Sequence, residues 1–170
     1  MKSQVHKSEC NIYEWARIQD WLFLCEALTN EDKECIQALF LTDSRHDKER
    51  IEEVKGGLLQ DSYCWVLNNP DFQRWRDDKQ SWLRWIKGDP GKGKTMLLCG
   101  IIDELKKSIG STSLLSFFFC QATDMRINNA TAVLRGLIYL LIIHQPSLVP
   151  HVRRKYHSVG KNSSRMWMPG

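Results

Sequence analysis

Several familiar ways of holding a chain together, or of placing it in a cell, are missing from this sequence. Its six cysteines, at positions 10, 25, 35, 64, 99 and 120, form no C-x-x-C pair, and no histidine lies at zinc-ligand spacing from any of them. Neither a metal centre nor a disulfide framework is expected, and free thiols point to a reducing, cytoplasmic compartment. No apolar run reaches transmembrane length, since residues 137–143 are too few and include Tyr139. The N-terminus has no apolar signal core, so no membrane partner is expected. Without a secretion signal, the glycosylation patterns beginning at Asn129 and Asn162 read as coincidental. The net charge of +4 includes no long basic run; Lys2, Lys7, Arg153, Arg154 and Lys155 read as a solvated surface rather than a nucleic-acid face. No internal repeat is visible.

What remains is a chain of 170 residues with 42% hydrophobic content, enough for one folded domain with a core. Its most informative stretch is Gly88-Asp89-Pro90-Gly91-Lys92-Gly93-Lys94-Thr95, which fits G-x-x-x-x-G-K-[ST] at every fixed position. From average Gly and Lys usage this pattern arises by chance in roughly one of a few hundred chains of this length. Glycines at these places let successive backbone N–H groups converge on phosphate oxygens without interference from a Cβ. A helix beginning here adds the positive end of its dipole. Lys94 would reach the β- and γ-phosphates, and the Thr95 hydroxyl would bind Mg²⁺. Pro90 stiffens the loop where no helical N–H is needed.

The flanks support that reading. Trp82-Leu83-Arg84-Trp85-Ile86-Lys87 is short, β-prone and bounded by glycine, so it reads as a strand. Beyond the loop, Leu97, Leu98, Ile101, Ile102 and Leu105 recur at helical spacing, with Lys106 and Lys107 suited to the last turn and Gly110 to a stop. Leu114-Leu115-Ser116-Phe117-Phe118-Phe119-Cys120 reads as a strand buried on both faces. Strand, loop, helix and strand in this order predict a right-handed βαβ unit, hence an α/β fold with a parallel sheet. The polar residues 121–129 would lie at the ligand end of that sheet.

Elsewhere the periodicity predicts helices. In residues 11–28, Ile18, Trp21, Leu22, Cys25 and Leu28 share one face, suited to packing on the rest of the chain or to a partner. Asn30 is placed to cap a second helix with Ile36, Leu39 and Phe40 on its apolar side. Thr42-Asp43-Ser44 opens a charged helix that ends near Lys55 at Gly56-Gly57; Lys48 and Glu52 form an i,i+4 pair on what reads as a solvated face. Residues 58–67 read as a helix with Leu59, Tyr63 and Val66 or Leu67 inward, broken by Asn68-Asn69-Pro70. Residues 72–75 form a short element, and Trp65, Trp75, Trp82 and Trp85 read as core anchors. Residues 130–143 form an apolar helix ended by Pro146, and residues 147–156 a short basic helix interrupted at Pro150.

From about residue 35 to residue 160 the chain resembles the nucleotide-binding module of fungal NACHT-type signal-transduction NTPases, a class of STAND P-loop proteins acting in vegetative incompatibility and innate immunity. It is close to the nephrocystin-like N-terminal domain. The resemblance is carried by DSRHDKERIEEVKGGLL, DSYCWVLNNPDFQRW, WIKGDPGKGKTMLLCGIIDELK and SFFFCQATDMRINNATAVLRGLIYLLI, read from Asp43, Asp61, Trp85 and Ser116 onward. It implies binding of ATP or GTP with Mg²⁺, and switching between off and on oligomeric states. It also implies a position between an N-terminal effector domain and C-terminal repeats of a longer protein. It places Lys55-Gly56-Gly57-Leu58 at the nucleotide base, and Asp124 and Arg126 in a loop near the site.

The chain departs from that family in two respects. The expected Walker-B run, an apolar strand ending in acids that hold Mg²⁺ and polarise water, is not found; residues 140–143 are followed by His144 and Gln145. Hydrolysis is therefore doubtful, and no catalytic base is assigned. In the tail, the family commonly reads L-F-E-D-x-x-A-W after Gly160-Lys161. Writing L-F-E-D-V-D-A-W as CTC TTC GAG GAT GTG GAT GCC TGG and starting one base later gives S-S-R-M-W-M-P-G, the sequence from Ser163 to Gly170. The expected organisation is a helical segment over 1–42, a partial nucleotide-binding domain over 43–160 and a frameshifted tail over 161–170. The alternatives are a non-catalytic interaction fragment acting through residues 11–28 and a small phosphotransferase using Asp124.

Overall fold

The computed structural model describes residues 28–58, 61–78, 80, 83–108, 110 and 113–158, and these divide into two compact units. The expected tail over 161–170 and all of the expected helix over 11–28 except Leu28 lie outside the described residues.

One unit runs from Asp43 to Phe119. Helix α2 of the chain, Ser44–Val54, follows α1 of the other unit, Asn30–Leu39. Asp43 caps α2, its Oδ1 accepting the Arg45 amide at 2.9 Å. Gly56 and Gly57 end the helix with φ of 79° and 92°, and the Gly57 amide donates back to the Glu52 carbonyl at 2.8 Å. Helix α3, Asp61–Leu67, and helix α4, Pro70–Asp77, meet at Asn69. α3 ends at Leu67, where Asn68-Asn69-Pro70 was expected to break it; the Asn69 side chain then accepts from the Asp71 amide and Pro70 occupies the first turn of α4, so the same residues also begin a helix. Helix α5, Lys94–Ser108, packs on α2 and α3. Tyr63, Val66, Phe72, Leu97 and Ile101 form the buried cluster of this unit, flanked by Trp75 and Leu105. Each large side chain so buried contributes roughly 1.5–3 kcal/mol.

The expected α/β fold is corrected by the structure: among the described residues there is no strand and no sheet, and the regular elements are helices. Short apolar runs bounded by glycine suit a strand, but a strand exists only when a neighbouring backbone completes its ladder. Residues 83–87 have no such partner among the described residues, and Leu83 and Trp85 are 79% and 77% exposed. In residues 113–120 only Phe117 and Phe119 are buried, their rings 5.9 Å apart, with Lys106 Nζ 5.3 Å from the Phe117 centroid. One inward-facing pair at a spacing of two suits an extended segment covered on one side. The right-handed βαβ unit and the burial on both faces are withdrawn with the sheet. Two further readings also change. Trp65 and Trp85 are exposed rather than core anchors, and the helix over residues 44–54 buries Ser44, Asp47 and Lys48 instead of presenting a wholly solvated face.

The other unit comprises the described residues up to Thr42 and those from Cys120 onward. The cap of α1 is Thr29, not Asn30. Its hydroxyl accepts the Asp32 amide at 3.2 Å while the Asp32 carboxylate accepts the Thr29 amide at 3.0 Å. Helix α6, Ala130–His144, is capped by Asn129, whose Oδ1 accepts the Ala132 amide at 2.9 Å. A 3₁₀ turn, Pro146–Leu148, leads into α7, Val149–Ser158. Pro150 stands in the first turn of α7, where no intrahelical N–H is missed, so it interrupts nothing. Ile36, Leu39, Ile142 and Val149 are the buried centre, with Leu28, Ile138, Leu148 and Val152 against them; Phe40 is 48% exposed rather than inward. Arg153 ties α7 to α1 through Asp32 at 3.1 Å, and Arg135 of α6 donates to the Ala38 carbonyl at the end of α1. No helix of the described residues is long and apolar enough to cross a membrane.

Candidate functional site

The stretch Gly88-Asp89-Pro90-Gly91-Lys92-Gly93-Lys94-Thr95 is exposed throughout and leads directly into α5. Gly91 and Gly93 take φ of 78° and 73°, the left-handed region that residues with a Cβ avoid. Between them the chain turns tightly, the Lys92 amide reaching the Asp89 carbonyl at 3.4 Å. Gly88 has an ordinary φ and open space around its Cα, so its part in the loop is its carbonyl rather than its missing side chain.

Lys94 closes the loop. Its Nζ donates to the Gly88 carbonyl at 2.7 Å and to the Asp89 carbonyl at 2.8 Å. The first hydrogen bond of the helix runs from the Leu97 amide to the Gly93 carbonyl at 2.9 Å. By helix geometry the amides of Gly93, Lys94, Thr95 and Met96 therefore have no acceptor within α5. Four outward N–H groups, the dipole of a helix of 15 residues and a lysine ammonium thus converge on one exposed place. That combination suits an anion with several oxygens. The residues present fit a phosphate chain, and the Thr95 hydroxyl fits a ligand position for a hard cation bound along with it.

α5 is held rigidly behind this loop. Lys48 of α2 is buried, with its Nζ 2.8 Å from an Asp103 oxygen and 2.5 Å from Glu52 Oε1. Burial pulls the Lys48 pKa down, but the hydrogen bonds it donates to Asp103 and Glu52 outweigh it and leave the ammonium more basic than usual. The ring of Tyr63 lies on Gly100, so closely that a Cβ there would meet Tyr63 Cγ at 2.3 Å. Cys99 is fully buried and its thiol is pushed up to about 11, chiefly by burial, which marks it as a packing residue.

The i,i+4 pair of Lys48 and Glu52 was legible from spacing, whereas the bond to Asp103 was not. No local signal pointed to it: Asp103 stands beside Glu104 on the polar side of α5, 55 positions from Lys48. In the other unit, Asp124 and Arg126 pair with each other, Arg126 Nη2 donating to Asp124 Oδ2 at 2.7 Å. The Arg126 hydrogen bonds hold the Asp124 carboxyl below its ordinary range. The side chain of Asn129, which begins a glycosylation pattern, serves as a helix cap and also donates to the Met125 carbonyl at 3.1 Å.

Comparison with known proteins adds to this geometry. Residues 61–168 match the family described as nephrocystin 3, N-terminal. Over 131 residues the chain is 69% identical to the vegetative incompatibility protein HET-E-1 of Podospora anserina, an alignment covering 77% of this chain and 10% of that protein. The chain therefore spans a small part of the length of the curated relative it matches. No solved structure matches.

Proposed function

The chain belongs to the nephrocystin 3, N-terminal family, and from that premise we propose that residues 88–95 bind the phosphates of ATP or GTP. In this reading the chain is a nucleotide-binding part of a longer fungal signalling protein of the vegetative-incompatibility type. Gly91, Gly93 and the amides that open α5 receive the phosphate oxygens. Lys94 exchanges its two carbonyl partners for β- and γ-phosphate oxygens, which are stronger acceptors for an ammonium. The Thr95 hydroxyl supplies one ligand to Mg²⁺, and the remaining ligands come from phosphate and water. Homo-oligomers and the effector and repeat domains of such a protein are the partners this reading implies.

The observation that carries the proposal is the pair of left-handed glycines bracketing Lys92 at the mouth of a helix whose lysine is already turned into the loop. Fold alone would not carry it, and no sheet is invoked. The proposal concerns binding; no residue is assigned as a catalytic base. Titration of the purified chain with fluorescent ATP and GTP analogues, with and without Mg²⁺, tests it. Lys94→Ala is expected to abolish binding, a loss of about 2–3 kcal/mol or more for a charge-assisted contact. Equal affinity in the wild type and the variant would remove the loop from the site.

A further inference from the structure

The phosphate loop carries two lysines, and the fold engages the ammonium of only one. Lys94 Nζ donates to the Gly88 and Asp89 carbonyls at 2.7 and 2.8 Å, which uses two of the three N–H groups of an ammonium. Lys92 stands two residues earlier, exposed, between the left-handed Gly91 and Gly93. Its amide reaches the Asp89 carbonyl, but among the described residues its ammonium has no hydrogen bond and no ion pair.

The charges of the loop give that ammonium a role. Asp89 contributes one negative charge and Lys92 and Lys94 one positive charge each, so residues 88–95 carry a net charge of +1. Asp89 is exposed, and no cation pairs with its carboxylate among the described residues. Without Lys92 that carboxylate would cancel Lys94, and an approaching phosphate chain would meet a loop of no net charge. Lys94 cannot meet it at once either, since it must first leave two carbonyls. A charge at an exposed rim acts on the approach of a ligand and its salt dependence more than on the final seat.

Resting on the reading of residues 88–95 as a phosphate site, we propose that Lys92 is the capture cation of the loop. It attracts and first holds the phosphate chain; Lys94 then exchanges its carbonyls and seats it. Lys92 thereby sets the association rate and favours the more highly charged ligand, a nucleoside triphosphate over the diphosphate. Lys94 sets how long the ligand stays.

Stopped-flow mixing of the full chain with methylanthraniloyl ATP, ADP, GTP and GDP, each with Mg²⁺ at about 0.1 M salt, separates the two roles. Lys92→Gln is expected to slow triphosphate association about threefold and Lys92→Glu about tenfold, with dissociation changed by less than about twofold. The diphosphate complex carries about half the charge, so Lys92→Gln should slow it by about the square root, roughly 1.7-fold. These differences should fade in about 0.5 M salt. Lys107→Gln removes one positive charge from the same unit about 20 Å along α5 from Lys94, about two Debye lengths away, and should leave association unchanged. Three results would overturn the proposal while leaving the site in place. Faster dissociation of Lys92→Gln with unchanged association would make Lys92 a ligand of the seated phosphate. Equal slowing by Lys107→Gln would assign the effect to net charge. Equal slowing of triphosphate and diphosphate would remove the discrimination. A wild-type chain that takes up none of the four nucleotides would refute the site itself, and this role with it.

Discussion

Gly100→Ala is expected to destabilise the unit that carries the phosphate loop, against the usual effect of such a change in a helix. In a helix interior this substitution ordinarily stabilises by up to about 1 kcal/mol, because glycine loses more backbone freedom on folding. Here the new methyl would lie 2.3, 2.4 and 2.8 Å from Tyr63 Cγ, Cδ1 and Cδ2. Ordinary carbon contacts begin near 3.5 Å, so the ring or the helix must retreat by about 1 Å. Tyr63 has little room to do so: it is 5% exposed, and Val66, Phe72, Leu97 and Ile101 share its cluster. Overpacking of this kind costs about 1–3 kcal/mol, and a clash this short with a buried ring belongs at the upper end, leaving a net loss approaching about 2 kcal/mol after the helix gain. For a unit of this size that is a fall in Tm of up to about 15 °C, read by circular dichroism or calorimetry. The decisive measurement is the cycle with Tyr63→Ala. Removing the ring removes the clash, so Gly100→Ala should change sign and stabilise in that background, giving a coupling energy well above 0.5 kcal/mol in rough terms. A stabilising Gly100→Ala in the unmodified chain would mean that α3 does not lie on α5 as described.

Four other outcomes follow from the same packing and loop geometry. Lys94→Ala should abolish nucleotide affinity in the titration given above. Gly91→Ala and Gly93→Ala should each cost about 1–2 kcal/mol and weaken nucleotide binding, from backbone strain alone since nothing crowds either position, whereas Gly88→Ala should leave stability unchanged; melting curves of the three variants compare them. Lys48→Met leaves Asp103 and Glu52 facing each other without their cation and should cost about 2 kcal/mol in urea unfolding at neutral pH, less than a fully buried pair because both acids are partly exposed. The last concerns pH. Burial raises the Asp43 carboxyl, but the Arg45 hydrogen bonds and charge outweigh it, so its pKa falls below the ordinary 3.8. Its stabilisation is therefore present above that ordinary value and is lost as pH falls through the lower folded-state value. Asp43→Asn should be less stable than wild type at pH 7, and the gap should close on acidification below about 3.8; a gap constant down to pH 2 would refute the assignment.

The amino-acid sequence determined the local features of this protein, because each depends on a few neighbouring residues. Glycines at 91 and 93 dictated a left-handed turn, the apolar spacing from Leu97 to Leu105 dictated α5, and Gly56-Gly57 dictated where the helix from Ser44 must stop. The family was legible too, since its motifs extend well beyond the phosphate loop. Helix caps were read only to within a residue, Thr29 taking the place of Asn30, because either side chain can accept an amide two or three positions on. Long-range pairing was decided by the tertiary structure. Residues 83–87 and 113–120 have strand-like composition, but composition cannot supply the second backbone that makes a strand, and among the described residues none does so. Lys48 looked like a surface charge until α5 brought Asp103 to it across 55 positions of chain. Gly100 stands inside α5 where the ring of Tyr63 lies on it, a contact that no local pattern announces. For Lys48 and Gly100 the deciding partner is far away in sequence, and only the folded chain brings it into contact.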